Sequence, residues 1–288
     1  MRKDKGEKEG FWILPSGQVF FDYGPVSMVV SAYRGGKLDT KLCSSAFSVI
    51  KGGLEEIHRY HELLRCYPSE LDLENLSGIP LEMAQAVVNT RSQNLTPMAA
   101  VAGAMSDRVA DFLQKNGAEK VVVNNGGDIA VRLSKGERLS LGVVYDVSCA
   151  GVNQVLNLEA EEGIGGIATS GLGGRSLTTG IASGVTAFSK YCRDADALAT
   201  FLADCSYISS PRVHTELAGN VEPGSDIADQ RVVTHLDVLG EEEIKRALAQ
   251  VLEEGEKQYH KGKLLACIAT VQGNTVHYDP GGLLKMEK

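Results

Sequence analysis

The stretch VVVNNGGDIAVRL, from Val121 to Leu133, constrains the fold of this chain more than any other. Two apolar runs flank a polar tip of Asn124, Asn125, Gly126, Gly127 and Asp128. Val121 to Val123 is continuously apolar, as a buried strand is. Ile129, Val131 and Leu133 alternate with Ala130 and Arg132, the period of a strand with one buried face. Asn-Gly and Gly-Gly tolerate the positive φ of tight turns, so the stretch predicts a β-hairpin. A second reading stands beside it. Glycines let a ligand approach bare backbone, and Asn124 and Asp128 would then be polar groups on either side.

Hairpins recur along the chain. Trp12 to Asp22 predicts one, with Pro15-Ser16-Gly17 as its turn. Ser27 to Tyr33, Leu139 to Asp146, Val152 to Glu159 and Val232 to Leu239 predict further strands. Leu264 to Val271 and Thr275 to Tyr278 predict a last hairpin around Gly273-Asn274. Helices come in separate groups. Leu54, Ile57, Tyr60 and Leu64 recur at helical spacing up to about Cys66, ahead of Tyr67-Pro68. Leu81 to Ser92 is a second helix, begun by Pro80. Thr96 as N-cap and Pro97 as first residue open a third, with an apolar stripe of Val101, Met105, Val109, Phe112 and Leu113 and a stop at Asn116-Gly117. Ala195 to Cys205 is a fourth, burying Leu198, Phe201, Leu202 and Cys205. Ile244, Leu248, Val251 and Leu252 make a fifth that ends near Gly255. This arrangement predicts an α+β fold of antiparallel sheets packed with helices.

Composition narrows the function. A chain of 288 residues can bury a large core. Its net charge of -8 argues against nucleic-acid binding, which favours a basic patch. No apolar run approaches the ~20 residues of a membrane span. The start, MRKDKGEKEG, is charged and lacks an apolar core, so residues 1–10 read as a disordered tail and not a signal peptide. Six cysteines include no C-x-x-C pair, which disfavours zinc and iron–sulfur frameworks. With no export signal, these thiols point to the reducing cytoplasm.

Five features carry candidate chemistry. Gly103 lies inside the third helix, where glycine costs ~1 kcal/mol relative to alanine. Something therefore packs close to it: a sheet or helix by default, or a ligand at the helix N-terminus near Met98 and Ala99. The Gly-, Ser- and Thr-rich stretch from Gly163 to Gly184 reads as a loop, either a flexible connector or a backbone cradle for an anion. Neither G-x-x-x-x-G-K-[ST] nor a strand–GxGxxG–helix pattern occurs, which disfavours both common nucleotide folds. Arg175, in that loop, is a phosphate contact or a solvated arginine. Asp196 and Thr200 share a helix face opposite the Leu198 stripe, which predicts a solvated polar face. The small Ala199 and Ala203 beside them allow another reading, a partial site for a hard cation such as Mg2+. His58 and His61 read as a solvated face, with a metal pair as the alternative. His214 and His235 lie near the acidic segment Gly219 to Asp229, which reads as a surface loop.

Three pieces occur in order: Asn124-Asn125-Gly126-Gly127-Asp128, Ala168-Thr169-Ser170-Gly171 and Asp196-Ala197-Leu198-Ala199-Thr200. This order resembles the N-x-G-G-D, A-T-S-G and D-A-x-A-T motifs of the ApbE superfamily, the FAD:protein FMN transferases. TPMAAVAGAMSDRVADFL before VVVNNGGDI, and GGRSLTTGIASGVTAF before DADALAT, further resemble an uncharacterised ApbE-like branch. The resemblance implies a tandem T-fold-like architecture over residues 11–288 as one domain. It implies FAD and Mg2+ as ligands, with Asp196 and Thr200 on the metal. Asn124, Gly126, Gly127, Asp128, Thr169, Ser170 and Gly171 would line the nucleotide pocket, with Met98, Ala99 and Arg175 beside them. The implied reaction is attack of a hydroxyl on the FMN-side phosphoryl group, with AMP leaving. A small-molecule nucleotide or flavin is the implied partner, with a homo-oligomer open. The family's H-x-x-D-P-x-T-G motif is missing, because Leu172 to Asp194 contains neither histidine nor proline. HYDPGG at His277 to Gly282 lies after the Asp196 helix and reads as a turn at the end of a strand. The alternatives are a flavin- or nucleotide-binding protein without transfer, or an enzyme of another reaction type.

Overall fold

Alternation of side chains sorts the β-residues onto two covered faces. A computed structural model describes residues 10–143, 154–174 and 176–284. Its strands are β1 (Phe11–Ile13), β2 (Val19–Tyr23), β3 (Val26–Arg34), β4 (Lys37–Leu38), β5 (Lys120–Asn125), β6 (Asp128–Leu133), β7 (Arg138–Val143), β8 (Gln154–Glu159), β9 (Gly166–Ser170), β10 (Gly184–Ser189), β11 (Val213–Leu217), β12 (Arg231–Leu236), β13 (Ala266–Val271) and β14 (Asn274–Tyr278). Its α-helices are α1 (Thr40–Ser45), α2 (Phe47–Arg59), α3 (Gly78–Thr90), α4 (Val101–Lys115), α5 (Cys192–Asp204), α6 (Ala218–Val221) and α7 (Glu241–His260). Residues 1–9, Arg175, Cys149 and the end of the strand expected to reach Asp146 lie outside the described residues.

One ten-stranded sheet runs β1-β2-β3-β5-β6-β9-β10-β13-β14, with β4 paired to β3. Every pairing in it is antiparallel, as the hairpin-rich sequence predicts. On one face, Val121 and Val123 of β5 join Met28 and Val30 of β3 in a core shared with α1 to α4. Farther along the same sheet, β9, β10 and β13 build a core with α5 and α7. On the opposite face the β7–β8 hairpin and Leu284 cover Ile129, Val131, Ile167, Phe188 and Ile268. β10 and β13 are therefore buried along their whole length.

The structure departs from the sequence reading in four places. α2 stops at Arg59, and Leu64 is buried from a separate 3-10 turn, where its N–H still donates to the Tyr60 carbonyl at 3.0 Å, so one helical turn persists beyond the helix end. The third expected helix is split, with a 3-10 turn over Pro97–Ala100 ahead of α4, while Thr96 still caps it by accepting from the Met98 N–H. α7 continues past Gly255 to His260; a Cβ at Gly255 would lie 3.1 Å from Cys267 Sγ, so this glycine permits packing and ends nothing. The glycine-rich stretch includes a buried strand, β9. Its Gly166 lies so close to the start of α5 that a Cβ would meet Cys192 N at 2.3 Å.

Candidate active site

The hairpin tip forms as the sequence predicts. Asn125 pairs with Asp128, and Gly126 and Gly127 take positive φ of 70° and 119°. The Gly127 N–H donates to Asn124 Oδ1 over 2.9 Å, which fixes the turn. Asn125 turns inward and its Nδ2 approaches the Ala102 carbonyl at 3.4 Å. Ser106 Oγ reaches the Asp128 carbonyl at 3.3 Å from the next turn of α4. The tip is thus bound to the beginning of α4.

α4 and α5 cross in contact at Gly103. A Cβ there would lie 2.4 Å from the Cys192 carbonyl oxygen, so only glycine fits without displacing backbone. The partner of the expected close approach is therefore a helix. Asp107, one turn on and buried, clamps the crossing. It accepts from the Cys192 N–H at 3.0 Å, the Arg193 N–H at 3.0 Å and Arg132 at 2.8 Å. The N-terminal amides of α5 need such an acceptor. The sequence reading passed over Asp107; its signal was an acid on an otherwise small and apolar helix face.

This crossing corrects the expectation of a solvated Asp196 face. β9 and β10 cover one side of α5, while α3 and α4 cover the other. Asp196 is half-buried, and its Oδ2 accepts from the Gly103 N–H over 2.8 Å. Burial, then the Asp128 carboxylate opposite, hold its carboxyl well above the ordinary carboxylate range, against the lowering effect of the Gly103 and Ala102 amides. Thr200, one turn further on, is 3.5 Å from Ser170 Oγ through its hydroxyl.

Two cavities meet at these residues. The larger is about 600 Å3. It is lined both by apolar side chains, among them Val26, Leu54, Ile57, Met105 and Val143, and by polar groups, namely Asn124 to Asp128, Thr169, Ser170, Ser176, Asp196 and Thr200. The smaller, about 390 Å3, shares Val101, Ala102, Asp128, Ser176, Asp196 and Thr200 with it. Met98 and Ala99 line the smaller one only. Gly171 lines neither; its φ of 146° and a Cβ position 2.7 Å from the Ala182 carbonyl make it a structural glycine. Sequence reasoning did not place the segment Glu222 to Ile227 in a site, yet all but Pro223 of it lines the smaller cavity together with Arg65. No local sequence pattern marks it, because its contacts cross the chain from the β11–β12 connection to Arg65 and Thr96.

The donors suit a hard cation. Two carboxylates and the hydroxyls of Thr200, Ser170 and Ser176 share one wall, and all are oxygen ligands. Among the described residues no group of three or more His, Cys, Asp or Glu stands ready to hold a metal alone. Mg2+ needs no such group, since it commonly binds through one or two carboxylates plus waters and ligand phosphates. Histidines lie elsewhere. His58 and His61 are exposed on or beyond α2, and His277 is exposed on β14. His214 and His235 flank Asp237 at 3.0 and 3.1 Å on the exposed face of the β11–β12 ribbon.

Similarity to known proteins bears on the fold and the family. The solved structure of the flavin transferase ApbE from Vibrio cholerae resembles the chain with a TM-score of 0.52 and 14% identity, over 94% of this chain and 98% of that one. The apo flavinyl transferase ApbE of Pseudomonas stutzeri gives a TM-score of 0.51 at 14% identity, over 91% and 94%. At this identity the likeness speaks for the fold alone. UPF0280 proteins are similar in sequence: one from Methanosphaera stadtmanae is 32% identical over 46% of this chain, and one from Methanopyrus kandleri is 28% identical over 68% of it. The chain spans about half the length of the first of these relatives, 55%, and 80% of the second. A model of the family described as "AbpE bacteria" matches residues 12–277, and the chain belongs to that family.

Proposed function

We propose that the larger cavity binds FAD or a related dinucleotide together with Mg2+, and that the protein transfers the flavin-side nucleotidyl group to an acceptor. One observation carries the reading: a single cavity lined both by large apolar side chains and by polar groups that include the carboxylates of Asp128 and Asp196. The apolar lining suits a fused ring system. The glycine tip lets a diphosphate lie against backbone, and Asp196 with Thr200 would hold the metal. Mg2+, when bound, would neutralise diphosphate charge and polarise the phosphoryl group under attack. The chain's own contribution is orientation. Asp107 and Gly103 hold α5 so that Asp196 faces the hairpin tip, and the amide of Gly103 fixes one carboxylate oxygen. This reading takes residues 11–288 as one domain and the cytoplasm as its compartment. No helix among the described residues is long and apolar enough to cross a membrane.

Binding without transfer is the second reading. The described residues that line the two cavities include no histidine. The test is to incubate the purified protein with FAD and Mg2+, then measure retained flavin and released AMP. Flavin retention with AMP release supports transfer. Retention alone supports the carrier, and a protein that neither retains flavin nor releases AMP overturns both flavin readings.

A further inference from the structure

The smaller cavity has chemistry of its own. Its outer wall is a segment of the β11–β12 connection held down from several sides. Arg65 donates to the carbonyls of Gly224 and Ser225 at 3.0 Å each. The hydroxyl of buried Thr96 bonds Asp226, and Tyr67 bonds Asp229. Gln230 Nε2 reaches the Asn94 carbonyl at 2.5 Å. The chamber these contacts enclose opens onto the wall of Asp128, Asp196 and Thr200, where the larger cavity begins.

We infer that this chamber is an acceptor site for a small alcohol that also carries an ammonium group. The inference rests on the donor reading of the larger cavity, since an acceptor must meet the donor at a shared wall. Charge selects the class. Among the described residues, Glu222 and Asp226 line the chamber beside the Asp128 and Asp196 wall, and Arg65 is the one cation that lines it. A divalent cation on Asp128 and Asp196 would neutralise that wall and still leave Glu222 and Asp226 outnumbering Arg65. Arg65 is committed to two carbonyls, so its charge is directed at the segment's backbone. A carboxylate or phosphate entering here meets like charge, whereas an ammonium finds acceptors. Size selects too: about 390 Å3 behind a pinned segment suits a small molecule. In the transfer, the acceptor oxygen bonds the flavin-side phosphorus as the bond from that phosphorus to the AMP oxygen breaks. AMP leaves with the electron pair, and the hydroxyl proton passes to solvent.

The test uses three probes of one length on flavin-free protein with Mg2+: 3-amino-1-propanol, 1,3-propanediol and 3-hydroxypropionate. Ligand-observed NMR titration gives the affinities. The amino alcohol binds tightest, with at least about a tenfold advantage over the hydroxy acid, because like charges across a binding surface are penalised. Glu222→Gln, at an exposed position, reduces that preference, and combining it with Asp226→Asn abolishes it. Equal affinity for the three probes, no binding of any, or a preference untouched by both variants overturns the assignment. Displacement of the amino alcohol by AMP also overturns it, since the chamber would then belong to the dinucleotide. FAD binding is measured separately on the unaltered protein. Its failure alongside an intact ammonium preference discards the flavin donor and keeps the chamber's selectivity.

Discussion

The amide of Gly103 donates to Asp196 Oδ2 over 2.8 Å, across the point where α4 and α5 touch. One glycine thus serves two ends. Its missing side chain lets the helices meet, and its N–H fixes the carboxylate that faces the hairpin tip.

Gly103→Ala separates those contributions from helix propensity. Propensity alone favours alanine by ~1 kcal/mol. The new Cβ, 2.4 Å from a backbone oxygen, forces the helices apart, and such overpacking costs about 1–3 kcal/mol or more. The expected outcome is net destabilisation in a urea titration. A variant at least as stable as the parent would show that the crossing yields easily.

Asp107→Ala should be more damaging. It leaves Arg132, only 11% exposed in its side chain, with the partly exposed Asp111 as its remaining carboxylate, and strips the first amides of α5 of their acceptor. Breaking a buried pair typically costs about 3–5 kcal/mol. Chemical denaturation measures the loss, and a change below about 1 kcal/mol would contradict the clamp.

Asp196→Ala is expected to weaken Mg2+-dependent FAD binding by about tenfold or more, since the substitution removes the carboxylate proposed to hold the metal. Flavin fluorescence titrations with saturating Mg2+ and with chelator measure it. Unchanged affinity at saturating Mg2+ would remove the metal assignment.

Alkaline pH should destabilise the fold through buried thiols. Burial pushes Cys43 up to about 11 and Cys267 up to about 12, from an ordinary 9.0. Both pKa values are raised in the folded state, so the stability they contribute is complete below pH 9 and is lost as pH rises towards 11 and 12. Within that window each thiol lowers unfolding free energy by about 1.4 kcal/mol per pH unit. Urea midpoints from pH 8 to 10.5 should fall, and Cys267→Ala should flatten the slope. A slope identical in that variant would assign the loss to other groups.

Most of the fold was legible because period and turn chemistry agree locally. The Val121 to Leu133 hairpin and the Asn116-Gly117 stop each carry their own signal and form as expected, while the last hairpin forms with its turn one residue earlier, at Gln272-Gly273, since Asn274 pairs with Val271. Errors arose where a glycine answered to a distant neighbour. Gly166 and Gly255 read as breakers, yet each is small because α5 or Cys267 lies against it. The Asp196 face shows the same limit from the other direction. A helical wheel separates two faces of α5 but cannot tell that a sheet covers one and helices the other. Six of the expected pocket residues, Asn124, Gly126, Gly127, Asp128, Thr169 and Ser170, do line the larger cavity. The segment around Asp226 escaped notice because its contacts to Thr96 and Arg65 span more than a hundred residues.

The pairing of β6 with β9 has a consequence for how the molecule comes together. It joins the sheet's two ends through only two registered pairs, Ile129 with Ile167 and Ala130 with Gly166. Asn124 to Asp128 stand on one side of that seam, and Thr169, Ser170 and Asp196 on the other. A molecule held between them acts as a splint. It would be gripped only after both ends have folded and met, so its occupancy would report assembly as well as recognition, and its departure would remove a brace from one of the two most sparsely paired lines in the sheet.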